Sequence, residues 1–431
     1  MPVQEHIQTA IRTSAGSRQN HRYAWYVLFV LFLVSTFNYA DRYIFSIVLE
    51  PLKAEFHLSD TALGLLGGVA FAVLYAGLGI PVARWADVGN RRNIISLAVA
   101  IWTLMTIACG LANNFIQLII ARVAVGIGEA GATPPSHSLI GDYFPVNERG
   151  RAIAIFTLGA SAGYVLAFIL GGWITVEFGW RAAFVAMGLP GLIVALLVRF
   201  SVKDPRQATA FVRPPERPDL LHAAVGFWSN RSYRHLCIGY SLSAFVGYGG
   251  VQWFPAFMAR SHGVTLKEIG MTYGLVILVS GVIGVIAGGI LSDRLVRRNV
   301  RWLALYPAVI TLVNLPISLC AVLTRSYTTL LGLLFVSSVF GNLILPGVLA
   351  ALHAVIKPGE RALGIAVCFL FVNLIGMGLG PIAVGAISDL LNPSFGREAL
   401  RYALAISYVL GLWIAFHWYV ASRTMAADAV R

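Results

Sequence analysis

Long apolar runs separated by short polar stretches occupy most of this chain. A helix that crosses a bilayer needs about 20 mostly apolar residues. Twelve runs meet that length, at 24–50, 62–83, 93–112, 116–141, 152–176, 182–198, 236–257, 269–291, 302–323, 327–356, 362–387 and 400–420. The first follows a polar head carrying Arg12, Arg18 and Arg22. It is too long for a signal-peptide core and no small-residue cleavage site follows it, so it is expected to stay in the protein. The longest polar stretch, 199–235, holds R-P-P-E-R-P at 213–218 and divides the runs into six and six. Its prolines and charges mark it as a linker. The expected organisation is a tail at 1–23, a six-helix bundle at 24–198, a linker at 199–235, a second bundle at 236–420 and a tail at 421–431.

Composition identifies the solvent. Of the 431 residues 58% are hydrophobic and 12% charged, and mean hydropathy is +0.76. A soluble protein of this size could not cover so much apolar surface, which excludes soluble enzymes, disordered chains and disulfide-stapled modules. The net charge of +13 raises the question of nucleic acid. Placement answers it: with the N-terminus inside, 23 of the 32 Lys and Arg fall in inner segments and 7 in outer loops. That bias is topological, so both termini are expected in the cytoplasm and no nucleic-acid partner is expected. Cys109, Cys237, Cys320 and Cys368 lie far apart within apolar runs, with no C-x-x-C pair. All four are expected to be small buried residues, and no metal or cofactor is expected. Asn230-Arg231-Ser232 matches a glycosylation sequon, but it falls in the predicted inner linker.

The halves repeat at an offset of 206 residues. Asp87 maps to Asp293, Arg91 to Arg297, Arg92 to Arg298, Ser59 to Thr265 and Gly64 to Gly270. Ser59 and Thr265 are expected to cap the helices that follow them. Duplicated halves are a recurrent transporter architecture, with the substrate path between them. The repeated inner loops read G-I-L-S-D-R-L-V-R-R at 289–298 and, more loosely, A-R-W-A-D-V-G-N-R-R at 83–92. The small first residue would allow close helix approach. Asp87, Arg91, Arg92, Asp293, Arg294, Arg297 and Arg298 would form charge networks near helix ends that hold the inner side closed. Charge placement alone would account for basic inner loops, but duplication at one offset favours a shared motif.

An ionisable side chain at membrane depth is rare and marks function by default. Four lie well inside spans: Asp41 and Arg42 in the first, Arg122 and Glu129 in the fourth. At 1.5 Å per residue, Asp41 lies roughly 14 Å below the outer end of its span, and Arg122 and Glu129 roughly 9 and 20 Å down theirs. Arg122 and Glu129 are two helical turns apart and share a face, whereas Asp41 and Arg42 point about 100° apart. If the two spans are neighbours, the four form one cluster, neutral when fully ionised. Bracing alone is a weak reason to keep buried ion pairs, since apolar replacements often cost no stability. Glu129 or Asp41 would carry a proton, freeing Arg42 or Arg122 to hold an anionic group. His137 and His353 are expected to be helix-end residues, and G-M-G-L-G-P at 376–381 a close-packed flex point.

The 289–298 and 83–92 loops resemble the G-x-x-x-D-R-x-G-R-R signature of the major facilitator superfamily. Arg122, Gly126 and Gly128 match its R-x-x-x-G-x-G pattern. Asn38-Tyr39-Ala40-Asp41-Arg42, Gly126-Ile127-Gly128-Glu129-Ala130 and Ile140-Gly141-Asp142-Tyr143-Phe144 resemble the spinster branch of that superfamily. The resemblance implies an all-α fold of twelve transmembrane helices in two pseudo-symmetric bundles, and proton-coupled secondary transport of lysolipid or sphingoid-phosphate-like molecules. The short termini and compact linker look bacterial, which implies a multi-pass protein of the inner (plasma) membrane. Its partners would be membrane lipids, an amphipathic small-molecule substrate and protons, and the protein would be a monomer. The rival readings are a transporter of small polar solutes or drugs in the same fold, and a non-transporting membrane receptor. An intramembrane enzyme ranks last, since the sequence has no H-E-x-x-H, no convincing nucleophile elbow and no paired catalytic aspartates on facing helices.

Overall fold

The computed structural model describes residues 2–205 and 220–430, so the 213–218 part of the predicted linker lies outside the described residues. No strand occurs among them. The first half consists of α1 (Pro2–Ile47), α2 (Leu49–Phe56), α3 (Asp60–Gly67), α4 (Val69–Val88), α5 (Arg91–Leu111), α6 (Phe115–Ala130), α7 (Thr133–Tyr143), α8 (Val146–Val165), α9 (Gly171–Phe178) and α10 (Trp180–Ser201). A short α11 (Leu220–Ser229) leads into α12 (Arg231–His262), α13 (Leu266–Val296), α14 (Trp302–Leu323), α15 (Tyr327–Val355), α16 (Arg361–Phe371), α17 (Gly380–Phe395), α18 (Ala399–Val409) and α19 (Gly411–Asp428). Helix covers every predicted apolar run. Ten stretches are long and apolar enough to cross a membrane; one of them, 363–428, covers the last two runs, and α12 is not among the ten.

Polar caps start many of these helices where the sequence re-enters an apolar run. Ser59 Oγ accepts the Ala62 N–H at 3.1 Å, and its repeat partner Thr265 accepts the Glu268 N–H at 3.3 Å. Asn90, Asn114 and Asn230 cap α5, α6 and α12 in the same way. Asn230 of the apparent sequon is therefore a structural cap. It starts α12 at residue 231, inside the predicted linker. Breaks within spans follow the small residues and prolines. Gly68 separates α3 from α4, and Gly131–Ala132 separates α6 from α7. Two π-helical turns, Leu166–Leu170 and Val372–Leu379, widen the fifth and eleventh spans, the second overlapping the predicted flex point at 376–379.

The halves meet through the second and fifth spans of one and the eighth and eleventh of the other. α3 packs on α17, α4 on the 372–379 turn, and α9 on α13. The repeated glycines make the closest contacts. A Cβ on Gly64 would lie 2.6 Å from the Pro381 carbonyl oxygen, and one on Gly270 would clash with the Phe168 carbonyl oxygen. One glycine, duplicated, thus brings the backbones together twice. Three expectations change. Cys320 is exposed, because it lies on an outward face of α14. Gly289 faces open space, with nothing within 4 Å of a Cβ there, so it mediates no helix approach in this conformation. His137 is exposed in α7, edge-on to Phe156.

Candidate functional site

Arg42 reaches from α1 to α6 and pairs with Glu129. Its Nε and Nη2 donate to Glu129 Oε2 at 3.0 and 2.5 Å, and Nη2 also donates to Asn38 Oδ1 at 3.4 Å. The pair is nearly sealed from solvent, with side chains 9% and 0% exposed. The Arg42 guanidinium sits 5.0, 4.9 and 4.8 Å from the ring centres of Tyr39, Phe71 and Tyr75, a cage that replaces part of its hydration. Asp41 is fully buried and neither carboxyl oxygen has a hydrogen-bond partner. Trp102, Thr106, Arg122 and Glu129 are the polar groups around it. Arg122 is also buried, its guanidinium 4.7 Å from the Phe45 ring and 5.5 Å from that of Phe71, with Nε unpartnered. The four charges predicted from the sequence therefore meet, but as one formed ion pair beside a buried acid and base that make no ion pair among the described residues.

A cavity of about 880 Å³ lies next to this cluster. Tyr43 and Tyr164 contribute from the first half, and Tyr240, Tyr248, Tyr273 and Tyr408 from the second. No charged residue lines it, and most of its wall comes from the second half. Its lining runs from Tyr273 to Ile286 along α13, about 20 Å at helical rise. Tyr43 stacks on Tyr164 at 4.1 Å and on Tyr39 at 6.2 Å. These three rings stand between the cavity and the caged Arg42. Asp41, Arg42, Arg122 and Glu129 do not line the cavity in this conformation.

The cavity's lining reaches Ala154 of α8 and Ile286 of α13, on the side of the inner-loop motifs. Arg91 is fully buried and bonds to Asp204, to Asp142 at 2.6 Å and to Ser138 at 3.0 Å, all within its own half and the start of the linker. Arg92 bonds to its neighbour Asn93. Asp293, Arg294, Arg297 and Arg298 are exposed and form no ion pair among the described residues. Asp87, near the end of α4, also has an interaction partner.

The opposite end is tied shut by residues the sequence reading did not select. Asp60, at the start of α3, accepts from Lys53 at 2.5 Å, from Arg260 at 2.6 and 2.8 Å and from Ser388 at 2.7 Å. Arg260 also donates to Glu50 at 2.8 Å. Asp389 of α17 accepts the N–H groups of Asp60 and Thr61 at 2.9 and 2.7 Å, capping a helix of the other half. These bonds link α2 and α3 to α12 and α17. The available signal was a run of acids and bases at predicted span ends, Glu50, Lys53, Asp60, Arg260 and Asp389. It was invisible to a search for charges at mid-membrane depth.

Comparison with known proteins follows this geometry. Residues 31–319 match the profile of the Major Facilitator Superfamily. An MFS-type efflux pump of Mycolicibacterium smegmatis is 35% identical over 93% of this chain and 92% of its own length. Protein spinster homolog 1 of Xenopus tropicalis is 28% identical over 91% of this chain and 79% of its own. The crystal structure of a bacterial homolog to the human lysosomal transporter spinster, in an inward-facing and unoccupied conformation, superposes with a TM-score of 0.86. That protein is 32% identical and the match covers 95% of this chain and 99% of the other. The chain is therefore a multi-pass membrane transporter, not an enzyme, and it belongs to the major facilitator superfamily.

Proposed function

We propose that the protein is a proton-coupled transporter of amphipathic, lysolipid-like molecules in the bacterial plasma membrane, working by alternating access. The observation that carries this reading is the pairing of a sealed Arg42–Glu129 ion pair with an adjacent long cavity that has tyrosine walls and no charge. A proton taken by Glu129 neutralises its carboxylate and breaks the ion pair. Arg42 is then a free guanidinium behind the Tyr39–Tyr43–Tyr164 rings, ready for a phosphate head. The uncharged cavity suits a hydrocarbon tail, each buried methylene contributing about 0.8 kcal/mol. Asp41, buried without a donor and close to Arg122, is a second group at which a proton can be held. The closed Asp60–Arg260 end and the exposed Asp293 loop fit an inward-facing state.

The test is uptake into proteoliposomes of a lysolipid panel of increasing chain length under an imposed pH gradient. Uptake should rise with chain length until the cavity is full, and should exceed that of tail-less anions. Equal uptake of short anions would replace this reading with that of a small-solute transporter.

A further inference from the structure

A second, smaller cavity of about 100 Å³ lies between α1, α7 and α8, bordered by Asn38 and by Tyr39 of the ring stack. Five of its ten lining residues carry polar side chains that can hold water: Ser35 and Asn38 of α1, Thr133 and His137 of α7, and Thr157 of α8. A polar space of this size holds several water molecules. At its inner end Asn38 is 4% exposed; its Oδ1 accepts from Arg42, and its Nδ2 has no partner in the protein. A buried amide donor without a partner calls for water. Beside Asn38, Glu129 keeps Oε2 for Arg42, while Oε1 is buried and unpartnered. At the outer end Thr157 lines both this cavity and the central one, and His137 is exposed. The titratable groups that border the space are His137 and Tyr39 on its walls and the Arg42–Glu129 pair behind Asn38.

We propose that this side cavity is the aqueous route by which a proton passes between Glu129 and the inner solution, with Asn38 and His137 as positioning residues. Asn38 Nδ2 donates to the innermost water and turns its lone pairs toward the carboxyl. That water takes the proton from Glu129 Oε1 as the Arg42 pair re-forms, and passes it along the chain of waters to solvent at His137 and Thr157. The linings of the two spaces share only Thr157, so the proton's path from Glu129 meets the substrate's space only at that mouth. This inference rests on Glu129 being the proton carrier.

The experiment blocks the side cavity without touching the central one. Ala160 lines only the side cavity. In a Cys320→Ser background, which removes the exposed native thiol, Ala160→Cys is reacted after folding with a benzyl methanethiosulfonate. Proton flux is read from a luminal pH dye in phosphatidylcholine liposomes, and exchange of oleoyl lysophosphatidate is read at equal pH. Modification should slow proton-driven uptake at least tenfold and leave exchange within twofold. Asn38→Leu, which keeps bulk and removes the amide, should likewise slow proton-driven uptake without any reagent, while exchange is read in the modified Ala160→Cys protein, because Asn38 also bonds to Arg42. Unchanged proton flux in both, alongside loss in Glu129→Gln, overturns the route and spares the carrier. Unchanged flux in Glu129→Gln as well overturns both. Exchange falling in step with proton flux would make the cavity part of the substrate site and also overturn the route.

Discussion

Arg260→Ala should open the outer end. Arg260 is 12% exposed and Asp60 3%, and the two share a double hydrogen bond at 2.6 and 2.8 Å across the halves. Removing one partner of a fully buried pair costs about 3–5 kcal/mol. Arg260 is partly solvated, and Asp60 keeps its Lys53 and Ser388 bonds. A loss of about 2–3 kcal/mol, the worth of hydrogen bonds between charged groups, is therefore expected. The bonds exist only while the outer end is closed, so the whole loss falls on that state. At 1.4 kcal/mol per factor of ten, the ratio of outward- to inward-facing molecules rises roughly 30- to 150-fold. The assay is labelling of Val251→Cys, a cavity residue, by a membrane-impermeant thiol reagent added outside a cysteine-free variant. Lys267→Ala is the control. Its bond to Glu177 joins the same two halves, but the two side chains are about half exposed, and such pairs contribute at most about 1 kcal/mol. If Arg260→Ala labels no faster than Lys267→Ala, the Asp60–Arg260 cluster is not what holds the outer end.

Three further outcomes follow. Gly64→Ala places a Cβ 2.6 Å from the Pro381 carbonyl oxygen, so it should weaken the closed outer end by about 1–3 kcal/mol, seen as faster outside labelling of Val251→Cys. Asp293→Asn should act in the opposite direction. Asp293 is exposed here, so the change leaves the present conformation untouched and destabilises the inner-closed state by about 1–3 kcal/mol, lowering outside labelling. Arg42→Lys should weaken binding of phosphate-bearing lysolipids, read by calorimetry, by tenfold or more, and that of neutral ones much less, because a lysine lacks the planar fork that spans Glu129 Oε2 and Asn38.

Much of this molecule was legible in the sequence. The runs of apolar residues located the helices, because a helix satisfies its backbone within one segment and a run of about 20 apolar residues is the length that crosses a bilayer. The offset of 206 residues located both helix caps and both close-packed glycines, since a duplicated fold repeats its local solutions. Depth arithmetic along two spans put Asp41 between the levels of Arg122 and Glu129, so that the four charges could meet. The pairing itself was not legible. Which acid meets which base depends on how α1 and α6 are rotated about their axes, and adjacent Asp41 and Arg42 face different neighbours for that reason. The inner-loop motif was read as a clamp between halves, whereas Arg91 bonds within its own half. A motif's charges are fixed by sequence, but its partners are set by the tertiary fold. The outer cluster escaped because Asp60 reads as an ordinary first-turn acid, and only the tertiary fold brings Arg260, some 200 residues later, to its side.

Proton-driven uptake by the wild type and by Glu129→Gln tests the central claim most directly. Both proteins are reconstituted into liposomes, a pH gradient is imposed, and uptake of oleoyl lysophosphatidate is measured together with the luminal pH. The wild type should accumulate the lysolipid only while the gradient lasts, with proton movement accompanying it. The amide cannot exchange a proton, so Glu129→Gln should lose gradient-driven accumulation and proton movement while retaining fold and membrane insertion. Accumulation by Glu129→Gln at the wild-type rate would remove the Arg42–Glu129 pair from the coupling mechanism.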